Sequence, residues 1–173
     1  MLNRLHTFID EQPVLFAGLA AAAILGTAFA SQIFGGLAPC ELCWWQRYPY
    51  MVAMAVALVG TAVKAIPQKY ILLLLAAVFL TDAGLAAFHV GVEQRWWEGL
   101  STCSAYVDLA DDLNAALDAI MNAPVIRCDE IAWSLFGISM AGYNMLAALT
   151  MTLFCIKKAQ KASENDPTKR TFA

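Results

Sequence analysis

The sequence predicts an all-α membrane protein: a four-transmembrane-helix bundle with both termini cytoplasmic and an outer loop carrying a short amphipathic helix. Three observations predict it. Of 173 residues, 60% are hydrophobic and only 14% charged, with a mean hydropathy of +0.59, whereas soluble domains have about 25% charged residues. Four long apolar runs punctuate the chain, near the roughly 20 residues needed to cross the hydrocarbon. Lys and Arg are sorted by connection: eight of the eleven lie in the N-terminus, the Lys64–Lys69 turn and the tail. By the positive-inside rule these face the cytoplasm. The length allows a single domain. No basic patch with interleaved aromatics occurs, which argues against nucleic acid as a partner.

Residues 1–12 are polar. The first span covers about 14–34, from Val14 to Phe34, with no charge. Ala28-Phe29-Ala30 resembles a signal-peptidase site, but the apolar run exceeds a typical h-region and acids accompany Arg4 before it. A loop over about 35–43 follows. The second span covers about 44–63, with Pro49 in its first turns, where a missing N–H costs least. Beyond the basic turn the third span covers about 70–92 and the fourth about 131–156. A basic tail, 157–173, ends the chain and is expected to be disordered from Ala162.

Between the last two spans lies the one sizeable polar loop, about 93–130. Val107, Leu109, Leu113, Leu117, Ile120 and Met121 recur mainly at spacings of three and four, opposite Asp108, Asp111, Asp112 and Asp118. This reads as an amphipathic helix. It could lie in the membrane interface or pack on the end of the bundle.

The chemistry centres on Cys40-Glu41-Leu42-Cys43, with Arg47 four residues after Cys43. Thiol–disulfide exchange needs a thiolate and a partner sulfur within reach, and Cys-x-x-Cys supplies two sulfurs on one turn. A guanidinium one helical turn away stabilises a thiolate, as does a helix N-terminus. The bland reading of Arg47 is an interfacial anchor. Zinc held by Cys40, Cys43, Cys103 and Cys128 is disfavoured, because a second Cys-x-x-Cys and a suitably spaced His are absent. Cys103 and Cys128, with 24 residues between them, can close a loop disulfide, either as a staple or as a second redox pair. Both cysteine loops fall on the outer side. In a bacterium that is the periplasm, where disulfides persist. Cys155, inside the last run, reads as a small hydrophobe.

His89 and Glu93 are one turn apart, and Asp82 shares roughly their face. Ionisable groups within a span are functional candidates. His89 could hydrogen-bond a cofactor carbonyl or move a proton. Asp82 reads as a packing residue. Trp44-Trp45 and Trp96-Trp97 read as an aromatic belt, although Trp44 could also wall a flat ring.

These residues resemble the disulfide bond formation protein B (DsbB) family. The similarity is carried by Pro39–Cys43 with Arg47 and Tyr48, by Ala87–Glu93 leading to Cys103, and by Cys128 followed by Trp133–Asn144, and it covers about residues 10–156. The resemblance implies a bacterial inner-membrane enzyme that reoxidises a periplasmic thioredoxin-fold (DsbA-like) oxidase. Electrons would pass through two disulfide pairs to the membrane quinone pool, ubiquinone or menaquinone. It implies that Cys103–Cys128 is the disulfide attacked by the partner, with the mixed disulfide at Cys103. Cys128 would then exchange with Cys40, releasing Cys43 as a thiolate beside Arg47. Cys43, Arg47, His89 and Trp44 would meet the quinone, and no metal is expected. Competing readings are a paralogue serving one dedicated oxidase, a disulfide-stapled scaffold, and a relay running toward reduction. The last belongs to proteins similar to vitamin K epoxide reductase, which place Cys-x-x-Cys late in the chain.

Overall fold

The computed structural model describes residues 2–99 and 127–164. Cys103, the expected amphipathic helix over 107–121 and the tail from 165 onward lie outside the described residues. The described chain is mostly helical, and three of its helices are long and apolar enough to cross a membrane: Pro13–Gly35, Gln68–Glu93 and Met140–Glu164.

A short helix, α1 (Leu2–Glu11), precedes the first apolar run. It is broken at Gln12, because Pro13 lacks an N–H to donate to the preceding turn; Pro13 instead opens α2 (Pro13–Gly35), where that loss is harmless. Helix α2 ends at Gly36, whose φ of 64° suits glycine and lets its N–H bond Ser31 O. One turn of helix, α3 (Glu41–Trp45), then leads into α4 (Arg47–Ala62). Gln46 joins them with helical φ and ψ, its N–H bonding Leu42 O at 3.1 Å. At 16 residues, α4 alone is about 24 Å long. Pro67 starts α5 (Gln68–Glu93).

The expected span over 131–156 differs from the helix found. Residues 134–139 form a hairpin, β1 (Ser134–Leu135) against β2 (Ile138–Ser139), with Ser134 opposite Ser139. Its two turn residues, Phe136 and Gly137, have φ of 51° and 79°. Positive φ at both positions is the type I′ geometry that matches strand twist. An apolar run therefore folds back on itself instead of entering the helix. Helix α6 (Met140–Glu164) starts at Met140 and reaches into the expected tail. Ser139 caps it, its Oγ accepting from Gly142 N at 3.1 Å. The same hydroxyl donates to Glu93 and so ties the start of α6 to the end of α5.

Helix α5 packs along α6, and α2 along α4. Small residues set the second contact: Ala17, Ala21, Ala53 and Ala57 are buried, and a Cβ on Gly18 would lie 2.6 Å from that of Ala57. Close approach through small residues is how helices associate where apolar burial gives little drive. Leu72, Leu75, Phe79, Met151 and Cys155 fill the core. Outer positions are apolar too, with Leu19, Leu58, Leu80 and Leu153 more than half exposed. At one end of the bundle, Asp10 of α1 pairs with Lys158 (2.5 Å) and Lys161 (3.2 Å) of α6. Cys40, Cys43 and Cys128 gather at the other end.

Candidate redox-active site

Pro39 and the extended backbone of Cys40 bring the chain off α2 into the turn of α3. Cys40 is the N-cap of that turn, its sulfur accepting from Cys43 N at 3.3 Å. Three residues of spacing then place the two sulfurs 2.9 Å apart, with the Cys40 thiol donating to Cys43 Sγ. Both are free thiols. The pair is asymmetric. Cys40 is 6% exposed and packs with Leu42, Val92 and Cys128. Cys43 is half-buried at the edge of that cluster.

The asymmetry extends to acidity. The hydrogen bond from Cys40 lowers the Cys43 pKa, with help from the Arg47 charge, against the cost of burial. The same bond and burial raise that of Cys40. Cys43 is thus the more acidic thiol of the pair.

Arg47 opens α4 and is buried. Its guanidinium carbon lies 4.6 Å from the ring centroids of both Phe29 and Trp44. The two rings are 6.2 Å apart and nearly perpendicular, so the cation sits in an aromatic corner. It donates to Gln32 Oε1 (2.7 Å) and Ala28 O (3.4 Å) on α2. Trp44 is 37% exposed, and Ile33 and Phe34 at the end of α2 are exposed as well.

His89, near the end of α5, is buried with Nε2 3.6 Å from Cys40 Sγ. The backbone of Cys128 is within hydrogen-bonding reach of its ring. Cys128 itself is fully buried and disulfide-bonded. One pocket therefore gathers Cys40, Cys43, Cys128 and His89. Ligand atoms of Cys40, Cys43 and His89 lie within 4.8 Å of one another, which a metal could use. The fuller cysteine set considered from sequence is not free to join them, because the disulfide withholds the Cys128 sulfur.

Sequence reasoning missed four partners. Gln46 donates to His89 Nδ1 at 2.6 Å. Asn144 of α6 donates to Gln46 Oε1 (2.7 Å) and to Asp82 Oδ2 (3.0 Å). Tyr50 donates to Asn144 Oδ1 at 2.6 Å. Gln32 receives Arg47. Their signal was present, since uncharged polar residues within apolar helices need partners there. Asp82 is wholly buried and accepts from Asn144 across the α5–α6 contact.

The chain matches the family described as "Disulfide bond formation protein DsbB" over residues 10–157. Among similar proteins is "Disulfide bond formation protein B 2" of Pseudomonas savastanoi pv. phaseolicola (strain 1448A / Race 6), 34% identical over 152 residues, covering 79% of this chain and 81% of that one. "Disulfide bond formation protein B" of Methylobacillus flagellatus (strain ATCC 51484 / DSM 6875 / VKM B-1610 / KT) is 26% identical over 162 residues, covering 90% and 95%. "Uncharacterized protein RP370" of Rickettsia prowazekii (strain Madrid E) is 26% identical over 160 residues, covering 89% and 92%. No solved structure matches. A match across nearly the whole chain, over a buried pocket of paired thiols and a disulfide, places this protein in the DsbB family of disulfide bond formation proteins.

Proposed function

We propose that the protein is a quinone-dependent thiol oxidase of the bacterial inner membrane that reoxidises a periplasmic DsbA-like oxidase. The observation that carries this reading is the meeting of Cys40, Cys43 and the disulfide-bonded Cys128 in one buried cluster. Two sulfur pairs in contact can exchange, and a staple alone would not need the free dithiol beside it. Since Cys40, Cys43 and Cys155 are free thiols, Cys103 is the partner we assign to Cys128.

The partner's thiolate attacks Cys103, forming a mixed disulfide and freeing Cys128 as a thiolate. Cys128 attacks Cys40; the Cys40–Cys43 bond breaks and its electron pair leaves on Cys43. Arg47 then faces that charge. The partner's second thiolate attacks its own mixed-disulfide sulfur, so that the partner leaves as a disulfide and Cys103 is freed as a thiolate. Cys103 then attacks Cys128, restoring Cys103–Cys128 and leaving the electron pair on Cys40. The site closes again when the Cys40–Cys43 dithiol gives up two electrons and two protons.

A bound quinone supplies the acceptor for two electrons and two protons. The residues present fit such a group. Phe29 and Trp44 offer flat apolar walls, Arg47 a buried cation able to face a ring oxygen, and the exposed apolar rim an entry from lipid. Arg47 would orient and stabilise developing negative charge, and His89 would face the dithiol from its far side. In this reading α4 is the fourth span, with the turn of α3 at its outer mouth, and both termini are cytoplasmic. The Asp10–Lys158 pairing supports that topology by holding α1 and the end of α6 together.

The test is oxidation of a reduced thioredoxin-fold partner by purified protein in detergent with added quinone, beside Cys43→Ser and Cys103→Ser. Turnover requiring quinone and both cysteines supports the relay. Turnover without quinone, or with either variant, overturns it.

A further inference from the structure

The hydrogen bonds around the dithiol run in one direction. We propose that Tyr50, Asn144, Gln46 and Asp82 are positioning residues that fix His89 as the Nε2–H tautomer, a donor aimed at Cys40 Sγ and not a base. This rests on the thiol-oxidase reading and adds to it residues, from three helices and the α3–α4 joint, that touch neither partner nor quinone.

The argument is one of forced orientation. Asn144 is held on three sides. Its Oδ1 receives the Tyr50 hydroxyl, while its Nδ2 faces two oxygens, Asp82 Oδ2 and Gln46 Oε1. Rotating the amide would set its oxygen against both of them. A carboxyl oxygen such as Asp82 Oδ2 accepts whether or not the group is ionised, because a proton can reside on Oδ1, which has no partner among the described residues. With Asn144 fixed, Gln46 must present Oε1 to it. Gln46 Nε2 is then left to donate to Leu42 O (3.3 Å) and to His89 Nδ1 (2.6 Å). An imidazole nitrogen that accepts carries no proton, so in neutral His89 the proton lies on Nε2.

Two side chains facing Nε2 agree. Cys40 Sγ lies 3.6 Å away and Glu93 Oε1 3.9 Å away, and both are acceptors. The Cys40 thiol in turn donates to Cys43. One line of donors therefore runs from Tyr50 through Asn144, Gln46, His89 and Cys40 to Cys43, with side branches to Asp82 and to Leu42 O, and aligned bonds in a low-dielectric interior strengthen one another.

The step this serves is the opening of a disulfide that contains Cys40. A thiolate attacks the partner sulfur and a new S–S bond forms there. The old bond breaks, and its electron pair stays on Cys40 Sγ. No proton changes hands; the Nε2–H faces the new thiolate and stabilises it. A base at that position would instead present a lone pair to a developing negative charge.

The test reads the tautomer directly, without turnover. His6 is the only other histidine, so His6→Gln protein carrying nitrogen-15 histidine reports His89 alone in detergent. The expected spectrum has a pyridine-like Nδ1 and a pyrrole-like Nε2. The near-isosteric Gln46→Glu places an acceptor opposite Nδ1, so the ring proton should move from Nε2 to Nδ1 and the pyridine-like resonance should pass from Nδ1 to Nε2. Turnover should fall about tenfold, one hydrogen bond to a charged sulfur. A pyridine-like Nε2 in the unaltered pocket overturns the proposal. So does a Gln46→Glu protein whose Nδ1 resonance or turnover does not change. Should Gln46→Glu fail to fold, the spectrum with native Gln46 still decides the tautomer, and Asn144→Leu, which cuts the chain one link earlier, decides the role by the same two readouts. Absence of quinone-dependent turnover in the unaltered protein would instead strike the thiol-oxidase reading and leave the tautomer result standing.

Discussion

Replacing Arg47 with alanine separates a working cation from an anchoring one. The change removes two cation–π contacts at 4.6 Å and the hydrogen bond to Gln32 at 2.7 Å. Each aromatic contact is worth about 0.5–2 kcal/mol depending on desolvation, and the charged hydrogen bond about 1.5–3 kcal/mol. Relief of the buried charge offsets part of that sum, leaving a stability loss of about 2–3 kcal/mol. The functional effect is calculated separately. Removing one charge-assisted hydrogen bond to the acceptor lowers kcat/KM for quinone about ten- to 150-fold. The kcat/KM for the reduced partner, measured at saturating quinone, should change less than about twofold, because the partner meets a different cysteine. Arg47→Lys keeps the charge and loses the planar fork, so it should fall between the two. Thermal unfolding in detergent and steady-state kinetics with each substrate varied give both numbers. A protein destabilised as calculated but with unchanged quinone kcat/KM would refute the assigned role and return Arg47 to an anchor.

Removing the Cys40 side chain in Cys40→Ala should raise the Cys43 pKa more than Arg47→Met does, since the Cys40 hydrogen bond is the larger cause; alkylation of Cys43 against pH gives the order, and the reverse order would refute it. In Gly91→Ala the new Cβ would lie 2.0–2.6 Å from Trp97, which stacks on Phe88 at 5.8 Å and donates to its carbonyl. Trp97 must swing out, for a loss of about 1–3 kcal/mol read by unfolding, with a red shift in tryptophan emission. Cys155→Ala, in the buried core, should lower stability by about 1 kcal/mol and leave turnover unchanged. Asp10 is held below its ordinary pKa of 3.8 by Lys158 first and Lys161 second. A depressed acid adds stability above that pKa and loses it as pH falls through the folded value. The small difference in Tm between the native protein and Asp10→Asn should therefore be present at pH 7, weaken with salt and vanish in strong acid.

The apolar runs and the Cys-x-x-Cys were legible because each is a local signal. Runs of length and hydropathy give α2 and α5 nearly to the residue. The start of α6 was not, because Ile131–Ser139 is as apolar as a helix; only Phe136-Gly137, two consecutive residues in the left-handed region, turns it into a hairpin. Helix α1 was hidden because its docking depends on Asp10 meeting lysines almost 150 positions away. The i,i+4 relation of Cys43 and Arg47 was readable, whereas the aromatic corner needed Phe29 from another helix. The Asn144–Gln46–His89 chain could not be traced for the same reason: each polar residue signals that it needs a partner, but only packing of α4, α5 and α6 shows which one.

The asymmetry of the dithiol supports an order for the relay that spacing alone does not give. Attack of a thiolate on a disulfide needs three sulfurs in line, so the exchanging cysteine belongs beside the second sulfur pair. Cys40 meets that requirement, buried against Cys128 with His89 behind it. The terminal cysteine has the opposite needs: it must hold negative charge and be reached from outside. Cys43 is half-buried, accepts the Cys40 thiol, and lies in the field of Arg47. Exchanging the roles would leave a buried charge at Cys40, where burial disfavours the thiolate, and would turn the charged sulfur away from the aromatic corner. The turn of α3 sets this polarity, because its N-cap faces inward and its third residue faces the rim.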